Sequence, residues 1–225
     1  MPRPLQPLLS REAIIAATLK IIDVEGIEAF SMPRLAKVMG VRAPSLYHHF
    51  KNKPELMTEV ARVIVLDTRF PRRPADENWP DFFVALSLNF RRSILRHRNA
   101  APILLEYLPR DVLITMYERV ARFLDKAGVP PHLHVLILDG MEKLSLGASL
   151  SEAMKTPESQ AQIFPNVNSQ EEPTLAAALA ANEWSAEQIF AQTIRSFLAG
   201  VMQLDAQQRQ GAAAPSAPRS EGRKA

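Results

Sequence analysis

Phe30–Leu56, FSMPRLAKVMGVRAPSLYHHFKNKPEL, decides the reading of this chain. Ser31 is a helix N-cap type, and Pro33 is tolerated because it falls in the first helical turn. Gly40 follows Met39 and takes a left-handed turn at little cost. Pro44 then opens a helix through Phe50. Asn52 with Glu55 resembles a capping box that starts a helix over 54–69. Leu35, Ala36, Val41 and Leu46 are spaced to form the small core of a helical tripod. Between Ser31 and Lys53 the chain carries Arg34, Lys37, Arg42, Lys51 and Lys53 and no acid. Two short helices around a glycine turn, with one cationic face, are the design of a unit that lays a helix in a DNA groove.

The presented residues have the right chemistry. Ser45 and His48 are placed to hydrogen-bond base edges, and Ala43 and Pro44 to touch a thymine methyl. Tyr47 and Lys53 suit phosphates. Lys53 lies near a helix N-terminus, whose N–H groups themselves attract anions. Ser31, Arg42 and His49 complete the expected DNA-binding set.

Charge is distributed to match. The net charge of +3 is mild, but residues 1–72 hold eleven Lys/Arg against seven Asp/Glu, or +4, which leaves about −1 for the remainder. The basic excess is therefore N-terminal. Apolar residues make up 47% and charged ones 23% of 225, ordinary for a globular chain of one or two domains. There is no cysteine, which removes disulfides and thiolate chemistry and suits a reducing cytoplasm. No apolar run approaches about 20 residues, and no signal core follows Pro2, Pro4 and Pro7, so neither a membrane span nor export is expected.

Upstream, residues 1–9 read as a flexible basic arm with Arg3. Ser10 caps a helix that Ile14, Ala17, Ile21 and Ile22 line and Gly26 ends. The DNA-binding domain spans 10–70. Phe70–Asn78, with Pro71 and Pro74, is a linker. Helical periodicity continues over 79–97, 102–107, 110–127, 132–155 and 185–205. The stretch 156–184 is poorly patterned, with a short helix at 174–181. A second helical domain thus covers 79–206. The Ala/Pro/Ser/Arg-rich tail over 207–225 is expected to be disordered. The fold class is all-α.

The same residues carry a family resemblance. Ser31, Leu35, Ala36, Gly40, Val41, Ser45, Leu46, Tyr47, His48, His49, Phe50, Lys53 and Leu56 resemble the DNA-binding domain of the TetR family of bacterial transcriptional regulators. A weaker similarity to the tetracycline-responsive members runs through Trp79, Phe82, Phe90, Arg91, Leu95, Arg98, Ala101, Leu146 and Gly147. The resemblance implies an all-α homodimer that represses a promoter until a small molecule binds the larger domain.

It also marks departures. Those members hold tetracycline as a magnesium chelate through His, Asn and Glu side chains. Here Thr68, Leu86, Leu104 and Ser151 fall at the His, Asn, His and Glu positions, and Arg69 beside Thr68 is no histidine either. Tetracycline with magnesium is therefore not the expected effector. Where a glutamine reads bases in those members this chain has Ala43, so the operator should differ.

In the second domain, Leu133, Leu136, Ile137, Gly140, Leu144 and, on the later helix, Phe190, Ile194, Phe197 and Val201 form two apolar stripes. Spacing alone reads them as ordinary core, and the resemblance assigns the two helices to a four-helix dimer interface. Gly140, Ser145, Gly147 and Gly200 permit close helix approach. The ligand-pocket candidates are Thr68, Leu86, Phe90, Leu104, Leu105, Leu108, Met116, Phe123 and Met141, an apolar set in which methionine adapts well. His132 and His134 are two apart on a helix and face away from each other, a poor metal pair, so no metal or cofactor is expected. Neither a phosphate-binding glycine loop nor a Gly-x-Ser-x-Gly elbow is present. The reading is a DNA-binding regulator, not an enzyme. Its partners are double-stranded DNA, an effector of unknown identity and a second copy of itself. Two other readings stay open: an all-α enzyme or carrier with an incidental basic patch, and a dimeric DNA-binding protein without an effector.

Overall fold

The computed structural model describes residues 9–72, 78–160 and 162–213, and the described residues form helices without strands. In chain order these are α1 (Arg11–Glu25), α2 (Met32–Met39), α3 (Ala43–Tyr47), α4 (Lys53–Leu66), α5 (Trp79–Arg96), α6 (Ile103–Glu106), α7 (Arg110–Lys126), α8 (Pro131–Ala153), α9 (Pro173–Ala180) and α10 (Ala186–Ala213). A 3₁₀ turn at Arg98–Ala100 joins α5 to α6.

The N-terminal unit is set by its caps. Ser10 Oγ accepts from the Ala13 N–H at 3.1 Å, Ser31 Oγ from Arg34 N–H at 3.2 Å, and Asn52 Oδ1 from Glu55 N–H at 2.9 Å. Each satisfies a donor that a bare helix start leaves open. The Asn52 cap differs from a strict capping box. The Glu55 carboxylate reaches back to Lys51 N–H at 2.7 Å, one residue before the cap. Gly40 sits at φ 66°, ψ 28°, where a β-carbon is penalised, and its N–H closes α2.

Leu35, Leu46, Phe50 and Leu56 are fully buried between these helices, with Val41 packed against them. Truncating one such residue to alanine typically costs about 2–5 kcal/mol. Helix α3 is shorter than expected and ends at Tyr47. The chain leaves it with His49 N–H and Phe50 N–H both donating to the Leu46 carbonyl.

The core is not divided at the linker. Ile94, Ala100, Ala101, Ile103 and Leu104 are buried in the same cluster as α1 and α4. Polar ties add to this seam. His97 Nδ1 lies 2.8 Å from Asp23 Oδ2, Ser93 Oγ donates to the Ile64 carbonyl at 2.5 Å, and Arg62 makes two bonds to Asp111, at 2.7 and 3.2 Å.

A second cluster packs α5 against α7, α8 and α10. There Arg91, 6% exposed, donates twice to Glu152 and once to Glu187, joining α5, α8 and α10. An arginine buried so deeply needs these partners, since an unpaired buried charge is costly.

Helix α10 continues to Ala213, so residues 207–213 are helical, against the expectation of a disordered tail from 207. Gln207, Gln208, Gln210 and the following alanines are adequate helix formers, and the first proline after them is Pro215. The expected arm over 1–9 and the tail beyond 213 lie, apart from Leu9, outside the described residues.

Candidate nucleic-acid interface and ligand cavity

The expected reading residues other than Ser31 and Lys53 lie on α3 and directly beside its two ends. Arg42, Pro44, Tyr47 and His48 are exposed, and Ala43, Ser45 and His49 are half-exposed, while Leu46 between them is buried. Ser31 and Lys53 stand at the starts of α2 and α4, both exposed. Ser31 is also committed as a cap, which leaves only its hydroxyl proton to offer a phosphate. Lys53 Nζ stands 5.5 Å from the Phe30 ring centroid, a contact that steadies a long side chain.

The head is less uniformly cationic than the quoted stretch alone implies. Arg34 is paired with Glu25 at 2.7 Å. That hydrogen bond holds the Glu25 carboxyl below its ordinary range. Glu25 precedes the stretch and comes alongside it only on folding.

A further residue, Arg11, escaped sequence reasoning. Its guanidinium donates to the His49 carbonyl, lies 4.1 Å from the Phe50 ring centroid, and pairs with Glu55 at 3.1 Å. It pins the exit of α3 to α1 and α4. No local pattern announces such a contact across 38 residues.

Between α5, α7 and α8 lies a narrow cavity of about 90 Å³. Of the expected pocket residues, Leu86, Phe90, Leu108, Met116 and Met141 line it. The other four lie elsewhere, which corrects the expectation. Leu104 is buried in the core shared with α1 and α4. Leu105 is 66% exposed, because α6 is a single turn that buries Ile103 and Leu104 instead. Phe123 is spent on Phe82, with centroids 4.5 Å apart. Thr68 is buried just past the end of α4, where its hydroxyl has no hydrogen-bond partner among the described residues.

Phe83, Leu113, Val120, Leu138 and Leu146 complete the apolar wall. Its polar groups are Ser87, Tyr117, Glu142 and Ser145. Ser145 donates to Ser87 at 3.0 Å, and the Tyr117 hydroxyl donates to Glu142. Burial first, and then the Glu142 carboxylate, pushes the ionisation of Tyr117 well above the ordinary tyrosine value, so it stays a donor.

The four positions that would hold a metal chelate in tetracycline-responsive proteins are not brought together. Leu86 lines the cavity, Thr68 and Leu104 are buried outside it, and Ser151 borders a separate surface groove beside α10. His132 and His134 have other partners, Asp205 at 2.7 Å and the Val129 carbonyl at 2.8 Å.

The expected dimer residues need the largest correction. Leu133, Ile137, Phe190, Ile194 and Val201 are buried within one chain, because α8 and α10 turn these stripes onto α5 and onto each other. Leu136 is 47% exposed, whereas Gly140, Leu144 and Phe197 are half-buried. Residues already inside the chain's own core offer no area to a partner.

Comparison with known proteins bears on this arrangement of head and cavity. The pattern described as "Bacterial regulatory proteins, tetR family" matches residues 14–60, and "Tetracyclin repressor-like, C-terminal domain" matches residues 70–204. The chain belongs to the tetR family of bacterial regulatory proteins. As a TetR-family member it is a DNA-binding transcriptional regulator with an N-terminal helix-turn-helix. Tetracycline repressor protein class E of Escherichia coli is 31% identical over 146 residues, covering 64% of this chain and 69% of that protein. Among solved structures, apo ActR from Streptomyces coelicolor superposes with a TM-score of 0.71 at 22% identity, over 89% of this TetR-family chain and 98% of that one. ActR in complex with actinorhodin gives 0.70 at 23% identity, over 87% and 97%. Among the described residues no helix is long and apolar enough to cross a membrane.

Proposed function

We propose that this TetR-family regulator is a repressor. On this reading two copies dock on a palindromic operator, and a small, largely apolar molecule in the cavity between α5, α7 and α8 releases them. It acts by binding and not by catalysis, in the cytoplasm where its operator lies. Ser31, Arg42, Ala43, Pro44, Ser45, Tyr47, His48, His49 and Lys53 form the DNA-facing surface. The phosphate contacts set register, and Ser45 and His48 read bases.

One observation carries the effector reading. The cavity wall is continuous with the core of the DNA-binding head. Phe90, Leu108, Met116 and Leu146 line the cavity and also pack on the cluster that contains Ile22, Leu56 and Ile64 of α1 and α4. A ligand that spreads this wall therefore moves the roots of both helices. Coupling of about 1–3 kcal/mol changes operator affinity roughly 5- to 150-fold. At about 90 Å³ the cavity is smaller than one of about 150 Å³ that takes up benzene, so a ring-bearing effector must widen it. That ActR takes up actinorhodin supports an effector site in this fold.

Dimerisation is proposed through the outer faces of α8 and α10, where Val135, Leu136 and Leu204 are exposed. Two heads related by a two-fold axis would meet half-sites about 34–36 Å apart, or a multiple of that.

The test fills the cavity. Operator binding by fluorescence anisotropy, titrated with a panel of neutral aromatic compounds, should show release of the native chain. A Ser145→Phe variant should bind operator normally and resist release. Release that persists in the filled variant, or no release by any compound while binding is intact, would count against an effector in this cavity.

A further inference from the structure

Helix α3 has five residues, and Arg42 at its N-cap makes no side-chain capping bond. So short a helix does not hold itself in place, because starting a turn costs more than its few hydrogen bonds return. Its pose must come from its neighbours. Fully buried Leu46 anchors it to the head's core. Its approach is tied to α2 by the Val41 N–H, which donates to the Ala36 carbonyl at 3.0 Å.

Its exit is held by side chains from two other helices. Arg11, the first residue of α1, donates to the His49 carbonyl and to Glu55 Oε1, the latter at 3.1 Å. The second oxygen of Glu55, on α4, accepts the Lys51 N–H at 2.7 Å. The same guanidinium lies 4.1 Å from the ring centroid of Phe50, which is 1% exposed. The Lys51 N–H first, and then Arg11, hold the Glu55 carboxyl below its ordinary range, so it is ionised at neutral pH. The loop after α3 is thus clasped at His49, Phe50 and Lys51 by one ion pair. The bonds of that pair run to the loop backbone and to each other.

We infer that Arg11 and Glu55 are positioning residues for base reading: together they seat the loop after α3, and with it the angle at which Ser45 and His48 meet the duplex. This rests on α3 being the base-reading helix and assigns the precision of that reading to residues outside it. Phosphate attraction depends on charge and survives a loosened seat. Base contacts depend on placement within about 0.5 Å and do not.

The experiment uses the full chain. Selection from randomised duplexes first defines the preferred site of the native protein. Fluorescence anisotropy at several salt concentrations then measures affinity for that site and for an unrelated duplex. The variants are Arg11→Met, Glu55→Met, the double variant and Arg11→Lys. Each methionine substitution should lower the ratio of site-specific to non-specific affinity by about two- to tenfold, the worth of a modest hydrogen bond. The salt slope, which counts phosphate contacts, should stay at its native value. The double variant should lose little more than either single one, because both act through one clasp. Arg11→Lys should recover part of the ratio, since an ammonium keeps the charge but lacks the fork that serves His49 and Glu55 together. Should Arg11→Met fail to fold, Glu55→Met and Arg11→Lys carry the same comparison.

A salt slope reduced by about 1 in Arg11→Met, with tighter binding of every duplex by Glu55→Met, would make Arg11 a phosphate contact and overturn the inference. An unchanged ratio in both single variants, or strictly additive losses in the double one, overturns it as well. If the native chain itself selects no site, base reading by α3 fails and the clasp falls with it.

Discussion

The tip of the Phe197 ring of α10 points at Gly140 of α8, and a β-carbon at position 140 would clash with its Cζ. The close approach of the two helices is therefore built on a missing side chain. Gly140→Ala should displace the ring and cost about 1–3 kcal/mol in chemical denaturation, the usual range for overpacking. Phe197→Leu in the same chain should recover much of the loss. If Gly140→Ala costs nothing, the helices stand further apart than described.

Asp23 and His97 join the end of α1 to the end of α5 across the two halves of the chain, 2.8 Å apart. A double-mutant cycle of Asp23→Ala and His97→Ala should give a coupling energy of about 1 kcal/mol. Strictly additive effects would remove this pair from the seam.

On the DNA side the account separates two kinds of contact. Lys53→Ala should weaken binding to every duplex and reduce the slope of log affinity against log salt by about 1. Ser45→Ala should instead change preference at particular base pairs. An unchanged salt slope would exclude Lys53 from the phosphate contacts, and uniform weakening would exclude Ser45 from base reading.

Tyr117 gives a pH signature. Its ionisation in the folded chain is pushed above the ordinary tyrosine value by burial and by Glu142. Folding therefore favours the protonated phenol. That contribution is fully present below the ordinary tyrosine value and is lost as pH rises towards the folded one. Denaturation midpoints should fall less steeply on the alkaline side in Tyr117→Phe than in the native chain. Parallel alkaline limbs would contradict the burial of this hydroxyl.

The features legible in the sequence are the local ones. Ser10, Ser31, Asn52 and Gly40 act within a turn of where they stand, and each does what its residue type implies. Leu35, Ala36 and Leu46 follow helical spacing into the head's core. Periodicity also found the stripe of α8 and read it as ordinary core, and it was the resemblance that assigned it to a partner. Leu133 and Ile137 are covered by the chain's own helices rather than by a partner.

Leu105 was misplaced because a single-turn helix has too few residues for spacing to fix its register. The ion pairs Arg91–Glu152 and Arg34–Glu25, and the Tyr117–Glu142 hydrogen bond, were invisible because they depend on how separate helices meet. The helical tail over 207–213 was missed for another reason, since low-complexity alanine and glutamine serve a helix as well as a coil.

The central claim is that two copies of the α2–α3 unit grip one duplex. Footprinting of the full chain on a genomic fragment pool, at moderate ionic strength, tests it most directly. The account predicts a protected palindrome with half-sites one helical turn or a multiple apart, abolished together with the footprint's symmetry by removing the Arg42 and Lys53 side chains. Protection that is absent, or spread without a preferred site and indifferent to those two residues, would contradict it.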